Sequence, residues 1–540
     1  MAGQPHAEEA REERRAVEGR QRHESIRRGH DRRHARRDTR GQSRQVGEGA
    51  LCRGRHHHRI GGPAAHASQK CVDDCIVAAR QRAPARNGTQ ERYTNSRFGS
   101  GPVTPQPWDF DVAVIGAGPA GSSAATTLAR RGHRVLALDR EQFPRYHIGE
   151  SQLPCLNDVL DILGVKPAID AGGFVPKWGA NFTTADGSVE RYADFSRAAE
   201  VAQPQTYQVH RERFDHILLE HAVASGATVR QGCRADDVVF APDGVTLTYA
   251  EAGQSTTVRV GGIIDASGRF GFLSRRFGTR VHDPLLQNIA VHRQYTGVPR
   301  VAGRRAGDIR MVTRPDRGWF WFIPISDTVM SVGAVIPKTI YNSRPRGTPD
   351  QSLDDFIRET PAAAALLADA QVVSPGRFEA DYSYLHTQHA GDRFLLAGDA
   401  GAFLDPIFST GVLLAMQTGI EAAEEMSDGL RAGNLQRARF ATYEARLVKR
   451  YRYFRRFAAG FYDPAFRDLF FSPSARFGMY EAVMSVIAGN WRPSLAMRLR
   501  LACFFLLVRI QRLLPITPRL ITVPIPRPGA PAASTFPSQS

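Results

Sequence analysis

A short apolar strand followed by three regularly spaced glycines constrains this chain more than any other part of its sequence. Residues 112–115 (Val-Ala-Val-Ile) are typical of a buried strand, and Gly116, Gly118 and Gly121 follow with the spacing G-x-G-x-x-G. A helix of small residues is predicted from Ser122. In such a unit the first glycine permits a tight turn, the second lets the backbone approach a pyrophosphate, and the third lets helix and strand pack closely. The segment therefore predicts a dinucleotide-binding β-α-β unit.

The residues after the predicted helix complete this unit. Residues 134–138 form a second predicted strand, and Asp139 follows it, 18 residues after Gly121. An acidic residue at this place hydrogen-bonds a ribose hydroxyl, and the helix N-terminus attracts the phosphates. We therefore predict that the dinucleotide contacts residues of the turn and of the second strand's end: Gly116, Ala117, Gly118, Pro119, Ala120, Gly121, Asp139 and Arg140.

Residues 1–102 differ in composition from the rest of this 540-residue chain. They contain 22 lysines and arginines, 12 acidic residues and only two aromatic residues, and the whole chain has a formal charge of +17. They show no sustained helical or strand periodicity, which favours disorder. A basic tail can bind nucleic acid, but this composition also resembles translated GC-rich upstream DNA. We therefore expect translation to start near Val103, and we expect no nucleic-acid partner.

Two groups of metal-binding residue types also fall in this segment. They are the histidines at 56–58 and the pair Cys71 and Cys75. Their spacing matches no common zinc finger, and they precede the expected start of the protein. We therefore predict no metal site.

Cysteine usage and hydropathy indicate the compartment. Only Cys155, Cys233 and Cys503 follow residue 102, which is too few for a disulfide framework and favours a reducing cytoplasm. No apolar run reaches the length of a membrane span. The nearest candidate, residues 501–508, is flanked by arginines. It either packs on the protein's own core, which we favour, or lies on an anionic membrane, so that any membrane contact is peripheral.

The remaining pattern predicts an α/β protein with an inserted sheet. Strands and helices alternate through residues 103–430, and short strands typical of an antiparallel substrate-domain sheet occupy about 280–390. Helical periodicity dominates residues 431–515, and a proline-rich tail that we expect to be flexible follows at 516–540. No second G-x-G-x-x-G follows a strand, so no separate nicotinamide-binding domain is predicted.

Three more motifs follow the glycine-rich turn along the chain. They are an Arg-x-x-Phe-Asp segment starting at Arg211, an Asp-Ala-Ser-Gly turn at 265–268 and a late Gly-Asp pair that ends at Asp399. Together with the turn they resemble the glutathione-reductase-type FAD-binding fold of aromatic hydroxylases and geranylgeranyl reductases. The resemblance implies FAD as the cofactor, with Arg211 near it and Asp399 on a ribityl hydroxyl.

Four further segments narrow the family. They are Phe-Pro-Arg-Tyr-His-Ile-Gly-Glu-Ser at 143–151, Gly-Phe-Val-Pro-Lys at 173–177, Trp-Phe-Trp-Phe-Ile-Pro at 319–324 and Phe-Leu-Asp-Pro-Ile-Phe-Ser-Thr-Gly at 403–411. The last two match W-x-W-x-I-P and F-x-x-P-x-x-S-x-G, and all four together resemble flavin-dependent halogenases over most of residues 109–500. Taken singly, each segment also suits an ordinary core strand or a surface lysine, so their joint occurrence carries the resemblance.

The resemblance implies a halogenase that receives reduced FAD from a separate flavin reductase. A flavin hydroperoxide would oxidise a halide ion to hypohalous acid, and Lys177 would direct that acid to an aromatic substrate. Apolar walls would keep the substrate away from the flavin. The implied halide site is Ser409, Thr410 and Gly411. The implied walls are Trp319, Trp321, Pro324, Phe403, Pro406 and Phe408.

One departure from the family pattern concerns the substrate. In the tryptophan-specific branch a glutamate precedes Ser-Thr-Gly, whereas Phe408 stands there in this chain. This resembles the branch that acts on phenols or pyrroles, and it disfavours free tryptophan. The sequence leaves open whether chlorine or bromine is used and whether an acyl carrier protein presents the substrate, although the basic residues 446–456 would suit an acidic carrier.

Other functions on the same fold compete with halogenation. The alternative is an FAD-dependent monooxygenase or a geranylgeranyl-reductase-like oxidoreductase, because fold alone does not determine function. A flavin-binding scaffold without catalysis is disfavoured by the intact set of glycine, aspartate and lysine residues.

Overall fold

The computed structural model describes residues 108–345, 347–380, 382–472 and 478–520. Several sequence expectations lie outside the described residues: the start at Val103, the histidines at 56–58, Cys71, Cys75 and the tail beyond residue 520.

The glycine-rich segment belongs to a sheet whose central strands are parallel. Phe110–Ile115 pairs in parallel with Val135–Asp139 on one side and with Gln254–Asp265 on the other. Val112 and Val114 pack into a helix-covered cluster, while Ala113 packs on the opposite face, so both faces are apolar as in most parallel sheets. From edge to edge the strands are Ala390–Gly391, Phe394–Leu396, Gln254–Asp265, Phe110–Ile115, Val135–Asp139 and Thr228–Gln231, and an antiparallel pair, Cys233–Ala241 and Gly244–Glu251, extends from Gln254–Asp265.

The helix predicted from Ser122 spans Pro119–Arg130 and thus begins three residues earlier. Gly118 is its N-cap, and proline suits the first helical turn because its fixed φ is helical and its missing N–H has no partner to lose. Gly116 has a φ of +95°, and a Cβ built on Gly121 would lie 1.7 Å from the Gly116 carbonyl oxygen. The turn therefore requires glycine at both positions.

A second, mostly antiparallel sheet contains the segment Trp319–Pro324. Along this strand Trp319 and Trp321 pack towards the C-terminal helices, whereas Phe320 and Phe322 face a different cluster, as strand geometry requires. Both faces are therefore apolar. The sheet confirms the predicted antiparallel insertion, but it also includes two strands that precede residue 280, Gly179–Thr183 and Glu190–Asp194. Its strands are Gln371–Val372, Asn288–Thr296, Val329–Pro337, Trp319–Pro324, Ile309–Thr313, Gly179–Thr183 and Glu190–Asp194 in order, with Arg377–Ala380 beside Asn288–Thr296.

Two small sheets and a set of helices complete the described fold. One small sheet joins Arg280–His282, Tyr384–His386 and Ala402–Phe403, and the other joins Val175–Lys177 and Thr206–Gln208. The further α-helices are Leu156–Leu163, Lys166–Asp170, Arg211–Ala224, Phe272–Phe277, Lys338–Asn342, Pro349–Arg358, Pro361–Leu366, Gly411–Arg431, Ala441–Phe461, Pro464–Phe471, Met479–Ile487 and Leu495–Leu513.

The region after residue 431 is helical, as predicted. In the helix Leu495–Leu513, Leu501, Phe504 and Val508 pack into the cluster that contains Trp319, which confirms core packing for this face of the segment. Within the described ranges, no helix combines the length and the apolarity that crossing a membrane demands.

Candidate active site

A cavity of about 490 Å³ connects the glycine-rich turn with the second sheet. Ile115, Leu138 and Ala266 line it where three adjacent parallel strands end, which is where open α/β sheets bind ligands. Trp319 and Trp321 line it from the second sheet. An elongated ligand can therefore extend from one sheet to the other within a single cavity.

The glycine-rich turn presents little side-chain bulk to this cavity. Gly116, Gly118, Pro119 and Ala120 line it, whereas Gly121 supports the turn from behind. A Cβ built on Gly118 would meet only a flexible arginine guanidinium, at 3.1 Å. The first turn of the helix has neither an acidic residue nor a side-chain cap, so its free N–H groups favour an anion such as a pyrophosphate.

Asp139 holds the turn from the end of the neighbouring strand. Its Oδ2 accepts a hydrogen bond from the Ala117 N–H at 2.8 Å, and its Oδ1 accepts one from the Glu141 N–H at 2.9 Å. Asp139 and Arg140 also line the cavity, whereas the buried Ala117 does not. Because each carboxylate oxygen accepts more than one hydrogen bond, Asp139 can hold the turn and still bind a ribose hydroxyl.

Arg211 and Asp399 line the same cavity. Arg211 makes a bidentate ion pair with Asp215, with both N–O distances at 2.8 Å, and donates to the Ile148 carbonyl oxygen. Asp399 follows the strand Phe394–Leu396, and burial raises its pKa to about 6 because the carboxylate loses contact with water. A ligand hydroxyl that donates to Asp399 would offset this cost.

The two tryptophans form a wall with fixed indole planes. Trp319 Nε1 donates to the Tyr462 hydroxyl at 2.9 Å, and this hydroxyl donates to Asp405 Oδ2 at 2.9 Å. Trp321 Nε1 donates to Ser331 Oγ at 3.3 Å. Each indole N–H is satisfied behind the wall, so the rings turn apolar surface towards the cavity.

The other expected wall residues divide into two groups. Phe403 and Pro406 line the cavity. Pro324 lines a separate small cleft, because strand alternation turns it away from Trp319. Phe408 packs edge-on against Phe461 in the core, with ring centroids 5.9 Å apart. The structure therefore places Pro324 and Phe408 outside the cavity wall.

Residues 409–411 lie beside the cavity, where the helix Gly411–Arg431 begins. Ser409 and Gly411 line the cavity, and Thr410 is buried behind them. Ser409 has a φ of +56°, a left-handed conformation that turns the chain sharply into the helix Gly411–Arg431. The first turn of this helix also lacks an acidic residue and a side-chain cap, so its N–H groups favour an anion.

Lys177 lies behind the cavity wall. Its side chain is 1% exposed, and its Nζ donates to Ser151 Oγ and to the Gln152 carbonyl oxygen, both at 2.8 Å. Burial lowers its pKa to about 7 because the ammonium loses its hydration. Lys177 is therefore not a solvated surface lysine. Ser151 itself lines the cavity, so a partly neutral amine stands one hydrogen bond away from it.

Sequence reasoning missed two buried cavity residues, Glu150 and Tyr382. In the described part of the chain, Glu150 Oε2 and the Tyr382 hydroxyl have no hydrogen-bond partner. Burial also raises the pKa of Glu150 to about 7. Glu150 stands inside the motif at 143–151, which was a usable signal. Nothing local indicated Tyr382, because only tertiary packing brings it to the cavity.

The described residues fit an FAD molecule. The glycine turn leaves room for a pyrophosphate at a helix N-terminus, Asp139 has spare lone pairs for a ribose, and the cavity continues without interruption to an aromatic wall. These features define an FAD-binding α/β protein whose second sheet supplies the far side of the site.

Comparison with known proteins identifies the family. Residues 109–456 match the family model described as FAD binding domain. A 1H-pyrrole-2-carbonyl-(peptidyl-carrier protein) chlorinase from Pseudomonas fluorescens is 34% identical over 363 residues, which are 62% of this chain and 80% of that protein. The solved myxobacterial chondrochloren halogenase is 31% identical with a TM-score of 0.61, over 73% of this chain and 97% of that one. The chain therefore belongs to the flavin-dependent halogenases and is an FAD-dependent oxidoreductase.

A third relative bears on the substrate. A protein from Chondromyces crocatus named tryptophan 2-halogenase is 36% identical over 334 residues, which are 59% of this chain and 61% of that protein. Phe408, the residue that disfavours free tryptophan by the family pattern, packs in the core and does not line the cavity.

Proposed function

We propose that this enzyme installs chlorine or bromine on an electron-rich aromatic compound of the phenol or pyrrole type. The observation that carries the proposal is the buried Lys177 amine, one hydrogen bond behind a cavity that joins the dinucleotide turn to the tryptophan wall. Reduced FAD, when bound, would react with molecular oxygen and so supply the oxidant that converts a halide ion to hypohalous acid. A separate reductase would supply the reduced cofactor, because the sequence has no second dinucleotide turn after a strand.

The start of the helix Gly411–Arg431 is the proposed halide site. An anion there receives backbone N–H groups and the positive end of the helix dipole, with no acidic side chain in the first turn to compete. The Ser409 hydroxyl lines the cavity at the same point and can donate another hydrogen bond.

The Lys177 amine is the proposed halogen acceptor. Its lowered pKa leaves a free lone pair in about half of the molecules at pH 7, so the nitrogen can accept a hydrogen bond from hypohalous acid or take its halogen. When the nitrogen takes the halogen, the O–halogen bond breaks and the hydroxyl leaves as water with one proton of the amine. The N–halogen bond then breaks as the ring carbon binds the halogen, and the proton lost from the ring restores the amine. Trp319 and Trp321 limit how closely the substrate approaches the cofactor.

The carrier-protein option finds little support in the basic residues 446–456. Three arginines of this stretch are paired within the protein: Arg446 with Glu425, Arg450 with Glu421 and Arg455 with Asp283. Their charge is therefore partly neutralised before any partner arrives. A carrier is favoured instead by the Pseudomonas relative, which is named a chlorinase of a pyrrole group attached to a peptidyl-carrier protein.

A direct assay tests the proposed function. The enzyme is incubated with chemically reduced FAD, oxygen and either chloride or bromide, over a panel of phenols, pyrroles and tryptophan, free and carrier-bound. Mass spectrometry should show halide-dependent products with the isotope pattern of chlorine or bromine. Oxygenated or reduced products without halogen would favour the monooxygenase or reductase alternative.

A further inference from the structure

The helix Leu495–Leu513 exposes a row of large apolar side chains. Leu495, Leu499, Leu506 and Leu513 are 72%, 60%, 55% and 81% exposed. They follow one another at intervals of four, seven and seven residues, so they share one face of the helix. This leucine row is opposite the face that packs on the core, which consists of Met497, Leu501, Phe504 and Val508.

The same helix is strongly basic. It contains four arginines and no acidic residue. By helical spacing, Arg498 and Arg509 border the leucine row on one side. Arg456 of the neighbouring helix extends this border, since its guanidinium lies over the Phe505 ring at 3.4 Å from the centroid. Burial lowers the pKa of Arg456, and the positive charge of the nearby Arg509 adds to this shift.

We propose that the leucine row and its arginine border bind the surface of an anionic phospholipid membrane. A helix of 19 residues is about 28 Å long and can lie in the plane of the interface. Its leucines would then enter the boundary between headgroups and acyl chains, and the arginines would bind lipid phosphates. The row continues beyond the helix through Leu514, 66% exposed, and Ile516, 47% exposed.

Charge and shape favour lipid over protein partners. A second copy docked on this face would bring two sets of arginines together, and the helix has no acidic residue to neutralise them. An acidic protein would match the charge, but it would need a complementary groove along the whole leucine row. A lipid surface accepts such a row without shape complementarity, and anionic headgroups supply the opposite charge.

Co-sedimentation of the full chain with vesicles tests this proposal. The vesicles contain phosphatidylcholine with or without phosphatidylglycerol, and the salt concentration is varied because residues 1–102 are also basic. The double variant Leu499→Glu/Leu506→Glu should bind the anionic vesicles about tenfold more weakly or worse than the wild type. Ile162→Glu is the matched control, since Ile162 is 67% exposed on a different helix, and it should bind like the wild type.

A second variant tests the charge separately. Arg498→Gln/Arg509→Gln should weaken binding to anionic vesicles severalfold and reduce its dependence on salt. All variants should keep a Tm close to that of the wild type because these side chains are exposed, and they should keep the flavin affinity because none of them lines the cavity.

Three results would overturn the proposal. One is a wild type that does not sediment with anionic vesicles, and another is a leucine variant that binds them as well as the wild type does. The third is a leucine variant that loses self-association, or binding to an acidic carrier protein, while its vesicle binding is unchanged. That result would assign the leucine row to a protein partner.

Discussion

Replacing Lys177 with methionine should abolish halogenation and leave the dinucleotide site intact. Methionine has nearly the length of lysine and fills the same space, but it has no amine to accept halogen. Lys177 is 1% exposed and contacts Ser151 and the Gln152 carbonyl, and neither of these contacts is to the glycine-rich turn. FAD affinity and the rate of flavin oxidation should therefore stay near wild-type values, and only halogenated product should disappear.

The lowered pKa sets the expected pH dependence. A lysine of ordinary pKa is neutral in about one molecule in 3,000 at pH 7, whereas Lys177, with a pKa of about 7, is neutral in about half. Halogenation by the wild type should therefore fall below pH 7, to roughly a fifth of its pH 7 rate at pH 6.

The free energy of unfolding should also depend on pH through Lys177. The unfolded chain binds the proton more tightly between pH 7 and 10.5, so stability should rise with pH across that window, and Lys177→Met should remove the rise.

The assay separates the amine from the positive charge. Lys177→Arg keeps a charged group that cannot lose its proton, and it should be as inactive as Lys177→Met. The exposed Lys449 is the matched control, and Lys449→Met should halogenate at the wild-type rate. Product is measured by mass spectrometry and flavin oxidation by absorbance. Halogenation by Lys177→Met at the wild-type rate would exclude a role for the amine in halogen transfer, and a parallel loss of FAD binding would show that Lys177 is structural.

Three other regions give predictions of their own. Gly118→Val should raise the dissociation constant for FAD about tenfold or more with little change in Tm, which flavin titration measures. Gly121→Ala should instead prevent folding, because its Cβ would lie 1.7 Å from a backbone oxygen, and circular dichroism would show the loss of structure. Trp319→Phe leaves the Tyr462 hydroxyl without its donor and should lower the free energy of unfolding by about 1–2 kcal/mol in urea titrations. Burial raises the pKa of Glu150 to about 7, so the folded state binds its proton more tightly and stability should fall as pH rises from 4.5 to 7. Glu150→Gln should remove this fall in the free energy of unfolding, which amounts to up to about 3 kcal/mol. Urea titrations at pH 5 and pH 8 measure it, and an equal difference between the two pH values in the wild type and the variant would contradict the role of Glu150 burial.

The fold of the glycine-rich turn was predictable because its geometry is local. The turn at 116–121 and the following strand are continuous in sequence, and each glycine has a role that its spacing reveals. Even the difference at the helix start is a local effect, since Pro119 suits the first helical turn.

The second half of the site was only partly predictable because it depends on packing. A motif indicates which residues are near one another, but strand alternation decides that Trp319 and Trp321 face the cavity and Pro324 does not. The left-handed turn at Ser409 likewise separates that residue, which lines the cavity, from Phe408, which packs in the core. The alternation is visible in the sequence, but packing decides which face of the strand meets the cavity, and nothing local indicates the left-handed turn at Ser409.

The arrangement of the cavity explains where a halogenase can differ from a monooxygenase on the same fold. Two helices, Pro119–Arg130 and Gly411–Arg431, begin at one cavity, and both first turns lack acidic residues. The first N-terminus suits the pyrophosphate that any FAD enzyme binds, so it cannot distinguish the two activities. We propose that the second N-terminus binds a halide ion and that the Lys177 amine receives its halogen. Changes at the second helix start and at Lys177 should therefore alter the product while FAD stays bound.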